Sequence, residues 1–189
     1  MAEPDLDLRL LDLIHLTMVK GVGPQTSRAL LERFGSAGRV LSASRAELTA
    51  TSGVGQKLAE KIARARQECD ALAELALCRR CGARLIARDD PEYPPSLQNI
   101  PDPPGLLYLK GRLEPRDQIA IAIVGSRRCT PYGIRIAERL AGALARTGFT
   151  VVSGLARGID AAAHRGAIKA GGRSIAVLAN GLASIYPPE

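Results

Sequence analysis

Residues 121–133 read IAIVGSRRCTPYG, and residues 150–164 read TVVSGLARGIDAAAH. Each stretch begins with an apolar run, turns at a loop that contains glycine, and continues into residues with helical spacing. A third apolar run opens the segment SIAVLANGLASIYPP at residues 174–188. Apolar runs that alternate with helical segments predict parallel strands joined by crossover helices. The predicted fold class is therefore α/β, with a doubly wound, mostly parallel sheet.

The loops after the first two strands carry the candidate binding residues, because ligands of such sheets bind at the carboxyl ends of the strands. Glycine lets a ligand approach the backbone, a helix N-terminus favours an anion, and a guanidinium group fits phosphate. The second helix is expected to have Asp160 as its N-cap. The predicted anion-binding residues are Gly125, Ser126, Arg127 and Arg128 in the first loop and Ser153, Gly154, Arg157 and Gly158 in the second.

Neither loop matches a nucleotide-binding fingerprint. The first strand is not followed by G-x-G-x-x-G, the second strand does not end in an acidic residue that would hold a ribose, and no G-K-[ST] motif occurs. No cofactor is predicted for this reason. An alternative stays open, in which the glycines only permit tight turns from strand to helix and the arginines are solvated.

The charge of the chain is concentrated in its second half. The formal net charge is +7, and the residues from 119 onward include nine basic and three acidic ones, which accounts for +6. Such an excess favours a polyanionic partner, with nucleic acid first. No apolar run is long enough to span a membrane, and the acidic N-terminus is unlike a signal peptide, so a cytoplasmic location is expected.

Residues 1–83 are predicted to form a small all-α domain of the helix-hairpin-helix, or SAM-like, type. The sequences VKGVGP at 19–24 and TSGVG at 51–55 each separate two helical segments. Backbone N–H groups at such glycines can face a DNA phosphate. The candidates for this weaker DNA contact are Lys20, Gly21, Gly23 and Lys57. Alternatively, the domain is only a compact helical module or a protein docking surface.

Residues 84–189 are predicted to form the second domain. Two early strands, at 84–88 and 106–111, are expected to extend its sheet, since two strands have little stability alone. Doubly wound sheets usually continue beyond three strands, so the chain is expected to be a fragment of a longer protein. Cys78 and Cys81 are interpreted as ordinary thiols, because a structural zinc site needs four ligands and no second pair exists.

These motifs resemble the DprA/Smf family, the DNA-processing proteins of natural transformation. The matching stretches are V-G-S-R at 124–127, Y-G at 132–133, S-G-L-A-R-G-I-D at 153–160, A-H at 163–164, G-G at 171–172, I-A-V-L at 175–178, G-L at 181–182 and Y-P at 186–187. Upstream, D-x-x-Y-P at 90–94 and L-Y-x-x-G at 107–111 also fit.

The resemblance implies a cytoplasmic protein with a Rossmann-like domain that binds incoming single-stranded DNA, protects it and helps to load the RecA recombinase. It implies neither a nucleotide cofactor nor catalysis. The full-length protein would be a homodimer, with its RecA surface in regions that this chain lacks. Carried onto this sequence, Gly125, Ser126 and Arg127 would hold a backbone phosphate, with Ser153, Gly154 and Arg157 across the pocket; Asp160, His164 and Tyr186 would have supporting or structural roles.

Two other functions remain as alternatives. One is a hydrolase of nucleotides or nucleoside phosphates that uses the same glycine loops, with Asp160 or His164 as acid or base. The other is a repair factor that binds duplex DNA through its helix-hairpin-helix domain.

Overall fold

The structure is a computed structural model that describes residues 7–184. The chain forms two compact units, which divide between Gly111 and Arg112. The first unit is mainly helical and the second is an α/β unit with a parallel sheet. The predicted fold class, a helical domain followed by an α/β domain, is therefore confirmed.

The first unit contains short helices with well-defined ends. Asp7 caps the first helix by accepting the Arg9 N–H at 3.0 Å. Ser44 and Glu47 form a capping box, in which the glutamate accepts the Ser44 N–H at 2.8 Å. The helices are α1 (Leu8–Met18), α2 (Pro24–Phe34), α3 (Ala37–Ser42), α4 (Arg45–Thr49), α5 (Gln56–Glu68), α6 (Ala71–Arg80) and α7 (Pro95–Gln98).

The aliphatic side chains of α1 to α5 form the main core of this unit. Burial of each such side chain stabilises the fold by about 1.5–3 kcal/mol relative to exposure. The largest side chains without solvent exposure in this cluster are Leu16, Leu30, Val40, Leu48 and Ile62.

Strands β1 (Ala83–Ala87) and β2 (Leu106–Lys110) pair antiparallel and form a two-stranded sheet. Leu85 and Leu106 of this sheet join a second apolar cluster with residues of α1 and α6. Between the strands, the buried Tyr93 donates a hydrogen bond from its hydroxyl to the carbonyl of Pro104 at 2.8 Å. This bond links the loop that contains Tyr93 to the loop that contains Pro104.

The prediction that β1 and β2 extend the parallel sheet is wrong. Their apolar face is covered by α1 and α6, so the hairpin gains its stability from the first unit. The first unit consequently extends to Gly111, whereas the sequence placed the domain boundary after residue 83.

In the second unit, three parallel strands alternate with two helices, as the sequence predicted. After a 3₁₀ helix at Pro115–Gln118, the elements are β3 (Ala120–Ala122), α8 (Pro131–Arg146), β4 (Thr150–Ser153), α9 (Ile159–Lys169) and β5 (Ser174–Ala176). The strands lie in the order β3-β4-β5. Ile121 of β3 pairs with Val151 of β4, and Val152 of β4 pairs with Ile175 of β5.

Helices α8 and α9 pack closely against each other because small residues line their contact. A Cβ atom on Gly166 would lie 2.1 Å from the carbonyl oxygen of Glu138, so only glycine fits there. The core between these helices and the sheet consists of Ala141, Ala145, Val151, Ala163 and Ala167.

An ion-pair network lies at the amino ends of the strands. Asp117 accepts hydrogen bonds from Nε and Nη2 of Arg173, and its Oδ1 also accepts the hydroxyl of the buried Thr150 at 2.9 Å. Burial would raise the pKa of Asp117, but hydrogen bonds from Arg173, from the Glu114 N–H and from Thr150 hold it below its ordinary value. This network joins the 3₁₀ helix to the starts of β4 and β5. Within residues 7–184, no helix has the length and apolar character needed to cross a membrane.

Candidate nucleic-acid interface

The two predicted loops follow β3 and β4 and therefore lie at the same edge of the sheet. Thr130 caps α8, accepting the Gly133 N–H at 3.1 Å. The cap of α9 differs from the prediction: its N-cap is Gly158, and Asp160 lies in the first turn. Asp160, which the sequence suggested as the N-cap, therefore makes other contacts.

Asp160 links the two loops. Its side chain is buried, Oδ1 accepts the N–H of Gly125 at 3.2 Å, and Oδ2 accepts the N–H of Gly154 at 3.1 Å. Both carboxylate oxygens are therefore engaged by backbone groups at the ends of two different strands. The two N–H groups that they occupy are not available to a ligand.

The glycines of the loops are needed where the two loops touch each other. A Cβ atom on Gly125 would lie 2.8 Å from Ile159, and one on Gly154 would lie 2.7 Å from Asp160. Gly158 has a φ of +85°, and its Cβ would lie 2.3 Å from the carbonyl oxygen of Ser126. The sequence suggested that these glycines make room for a ligand. In the structure Gly125 and Gly158 make room for the opposite loop, and Gly154 makes room for the carboxylate of Asp160.

The two serines differ in exposure. Ser126 is exposed, and its hydroxyl donates to the Arg128 carbonyl at 2.7 Å and accepts the Arg128 N–H at 3.1 Å. Ser153 is 1% exposed, and its hydroxyl donates to the Ile123 carbonyl at 2.6 Å. The burial of Ser153 therefore does not fit the prediction that this residue contacts DNA. Its hydroxyl instead connects β4 to the chain that follows β3.

The arginines of the loops lie at the surface. Arg127, Arg128 and Arg157 are all exposed. The backbone beneath them is held in place, since the carbonyl of Ser126 accepts the Ile159 N–H at 3.2 Å. Leu155 has a φ of +55°, an uncommon conformation for a residue with a side chain. Cationic groups on a fixed backbone suit the binding of an anion without a large cost of ordering.

His164 is part of the scaffold. Its Nδ1 lies 2.7 Å from the Ser174 hydroxyl, which itself donates to the Val151 carbonyl at 2.9 Å. Nδ1 must therefore carry the proton in the neutral ring. Burial lowers the pKa of His164, although the nearby carboxylate of Asp160 opposes this. Asp160 and His164 thus both make structural contacts, Asp160 through its two carboxylate oxygens and His164 through Nδ1. Tyr186 lies outside the described residues.

Comparison with known proteins gives a match to the family described as DNA recombination-mediator protein A, over residues 84–189. The chain belongs to this family. The matched residues make up more than half of the chain and contain both loops of the candidate interface.

Individual proteins with similar sequences agree with this family assignment. The chain is 40% identical over 177 residues to Protein Smf of Synechocystis sp., covering 92% of this chain and 44% of that protein. It is 41% identical over 116 residues to DNA processing protein DprA of Bacillus subtilis, covering 61% of this chain and 39% of that protein. The chain thus spans less than half the length of these relatives.

The fold is also similar to a solved structure of a family member. The X-ray structure of DNA processing protein A (DprA) from Streptococcus pneumoniae superimposes with a TM-score of 0.74 at 27% identity, over 97% of this chain and 62% of that one.

The helical domain of this family member matches a SAM-like helix-hairpin-helix tandem over residues 13–68, as the sequence predicted. Gly23 and Gly55 precede α2 and α5, and neither helix has a side-chain cap at its N-terminus. Lys20 and Lys57 are exposed beside these helix starts, and Gly21 has a φ of +111°. The weaker DNA contact assigned to Lys20, Gly21, Gly23 and Lys57 remains a prediction.

The two cysteines lie at the end of α6, where Cys78 is buried and Cys81 is half-buried. Burial raises the pKa of the Cys78 thiol, and the Cys81 thiol donates to the Cys78 carbonyl at 3.4 Å. In the part of the chain that the structure describes, no three metal-ligating side chains come together.

Proposed function

We propose that this chain binds single-stranded DNA through its backbone phosphates, at the edge formed by residues 125–128 and 154–158. The observation that supports this most is the exposure of Arg127 and Arg128 on a loop whose backbone is fixed by Asp160 and Ile159. Phosphate contacts of this kind bind DNA with little preference for sequence.

The proposed contacts are fewer than the sequence suggested. The side chains of Arg127, Arg128 and Arg157 supply them, while the Ser126 hydroxyl donates its proton to the Arg128 carbonyl and shapes the first loop. Gly125 and Gly158 let the two loops contact each other, Gly154 leaves room for the carboxylate of Asp160, and the buried Ser153 bonds the Ile123 carbonyl.

For the whole protein, we propose a role in which it protects incoming single-stranded DNA and helps to load the RecA recombinase during natural transformation. The names of two curated relatives, DNA processing protein DprA in Bacillus subtilis and in Streptococcus pneumoniae, support the part of this role that concerns DNA processing. We further propose that the protein is cytoplasmic, forms a homodimer and binds DNA without catalysing a reaction.

The test is a titration of a labelled oligo-dT strand with the full chain at two salt concentrations. Arg127→Ala should weaken binding roughly tenfold, because one charge-assisted phosphate contact is lost. The slope of the logarithm of the binding constant against the logarithm of the salt concentration should become flatter by about one. Arg127→Lys serves as a control, since it keeps the charge and loses only the fork geometry. Unchanged binding by Arg127→Ala would remove the first loop from the interface.

A second candidate function is duplex binding by the helix-hairpin-helix domain, which the uncapped starts of α2 and α5 favour. The double variant Lys20→Ala/Lys57→Ala separates the two functions. If the domain is the main DNA contact, this variant loses affinity for a duplex while Arg127→Ala keeps it. If the loops are the main contact, the double variant binds a single strand almost normally.

A further inference from the structure

A second basic surface lies on the α/β unit, in a groove between α8 and α9. The groove has a volume of about 470 Å³ and is open to solvent. Half of its lining residues are basic and one is acidic. The lining consists of Arg135, Glu138, Arg139, Gly142, Arg146, Gly166, Lys169 and Ala170.

Helical spacing brings the arginines of this groove into one row. Arg135, Arg139 and Arg146 are separated by four and seven residues, so their side chains project from the same face of α8. The row is ~16 Å long at 1.5 Å per residue. Gly142 and Gly166 form the floor, where the helices approach too closely for a larger residue at position 166. The long side chains therefore form the wall of a shallow channel.

Within residues 7–184, no carboxylate pairs with the arginines of the row. Glu138 is the acidic residue of the lining, and it forms an ion pair with Lys169. Arg135, Arg139 and Arg146 are exposed, and none forms a hydrogen bond or ion pair within residues 7–184. Three guanidinium groups therefore face solvent along one line.

The chemistry of the groove fits a nucleic-acid backbone better than a protein segment. Protein partners are usually held by large apolar or aromatic anchors in pockets, and the lining contains no large apolar side chain. A nucleic-acid strand instead presents evenly repeated negative charges, which match a row of guanidinium groups. Tyr132, one turn before Arg135, is 66% exposed and offers a face on which a base can stack.

We propose that the α8–α9 groove is a second nucleic-acid contact surface, which holds phosphates along Arg135, Arg139 and Arg146. The groove begins one helical turn after the start of α8, the helix that follows the first loop. If one DNA strand occupies both the loops and the groove, that arrangement rests on the proposed function. Binding of a nucleic-acid backbone in the groove itself does not depend on the proposed function.

The experiment compares the full chain with Arg135→Ala/Arg139→Ala in titrations of a labelled oligo-dT of about 30 nucleotides at two salt concentrations. We expect at least a ~10-fold loss of affinity and a salt slope that is flatter by about two, one for each phosphate contact removed. The exposed Arg80→Ala, in the helical unit, is the control for loss of a positive charge. A groove variant that binds as tightly as the wild-type chain and Arg80→Ala would overturn the proposal.

Two further arms make the result specific. Arg135→Lys/Arg139→Lys keeps the charges and should keep most of the affinity, while the melting temperature of the alanine variant shows that it is folded. If polyglutamate of matched charge competes as well as unlabelled oligonucleotide, the groove is a general polyanion site and the nucleic-acid assignment is wrong.

Arg127→Ala separates the two proposals. Normal binding by Arg127→Ala, together with weak binding by the groove variant, would contradict the loop site and leave the groove standing. The reverse pattern would contradict the groove alone.

Discussion

Asp160 and Gly125 are 35 residues apart in the chain, yet the carboxylate of Asp160 accepts the Gly125 N–H at 3.2 Å. Its second oxygen accepts the Gly154 N–H at 3.1 Å, so one buried side chain fixes the starts of both loops. These bonds occupy two backbone donors, which are therefore not available to a phosphate. The positive potential of this edge must therefore come chiefly from its arginine side chains.

The first prediction concerns Asp160→Asn. An asparagine has one acceptor oxygen and an NH₂ group in place of the second, so one of the two N–H groups would face another donor. We expect a loss of about 2 kcal/mol in the stability of the second unit, the cost of leaving a buried donor without a partner. Amide hydrogen exchange at Gly125 and Gly154 measures it, because exchange reports local opening.

The matched control for this change is Asp89→Asn. It removes the same charge at an exposed ion pair with Arg9, where the cost should stay below about 1 kcal/mol. Equal exchange rates in Asp160→Asn and the wild-type chain would show that the carboxylate is not what holds the loops together.

The second prediction concerns Gly158→Ala. The substitution adds a Cβ 2.3 Å from the Ser126 carbonyl and also forces alanine into a φ of +85°. Gly171→Ala isolates the second effect, since Gly171 has a φ of +72° and open space around it. We expect about 1–2 kcal/mol of destabilisation for Gly171→Ala from the backbone alone, and clearly more for Gly158→Ala. Thermal unfolding followed by circular dichroism compares them, and equal losses would argue against tight contact between the loops.

The parts of the structure that were predictable from sequence depend on local patterns. The parallel sheet follows from apolar runs that alternate with helical spacing. The capping box follows from Ser44 and Glu47, which lie three positions apart in the sequence. The link from Asp160 to Gly125 could not be predicted, because an acidic residue near a helix start has the same local pattern whether it caps that helix or reaches another loop. The burial of Ser153 likewise depends on the neighbouring strand.

Two other features differ in how far the sequence could predict them. The row of Arg135, Arg139 and Arg146 is visible in the spacing of the sequence once α8 is assigned. The pairing of β1 with β2 was harder to predict, because it depends on which unit covers their apolar face. Short strands with a single apolar face can complete either of two neighbouring cores.

The third prediction concerns pH and His164. Burial lowers its pKa in the folded chain, with Asp160 opposing, whereas an unfolded chain titrates near 6.5. As the pH falls below about 6.5, the unfolded state therefore binds the proton first, and stability is lost until the folded pKa is passed. His164→Gln should remove this part of the pH dependence between pH 7.5 and 5.5.

Amide exchange in α9 at several pH values, corrected for the intrinsic rate, measures this effect. Ser174→Ala is the control: it removes the partner of Nδ1 and keeps the buried imidazole, so the pH dependence should persist. If His164→Gln loses stability with falling pH as steeply as the wild-type chain, another group is responsible.

The fourth prediction concerns Asp117 and Arg173. Arg173→Met leaves the carboxylate of Asp117 largely buried and without its ion-pair partner, which should cost about 3 kcal/mol at pH 7. The pKa of Asp117 is lowered in the folded chain, so the pair contributes its full stability above the unfolded value of about 3.9 and loses it as the pH falls through the folded value. The difference between the variant and the wild-type chain should therefore shrink at low pH.

Amide exchange of β4 residues at pH 7 and near pH 3 tests this, because Thr150 joins the network to that strand. Arg116→Met is the control; it removes an exposed partner of Glu114 and should cost less than about 1 kcal/mol at either pH. A difference for Arg173→Met that stays constant as the carboxylates are protonated would mean that the arginine stabilises the sheet by packing its aliphatic portion, and not through its ion pair with Asp117.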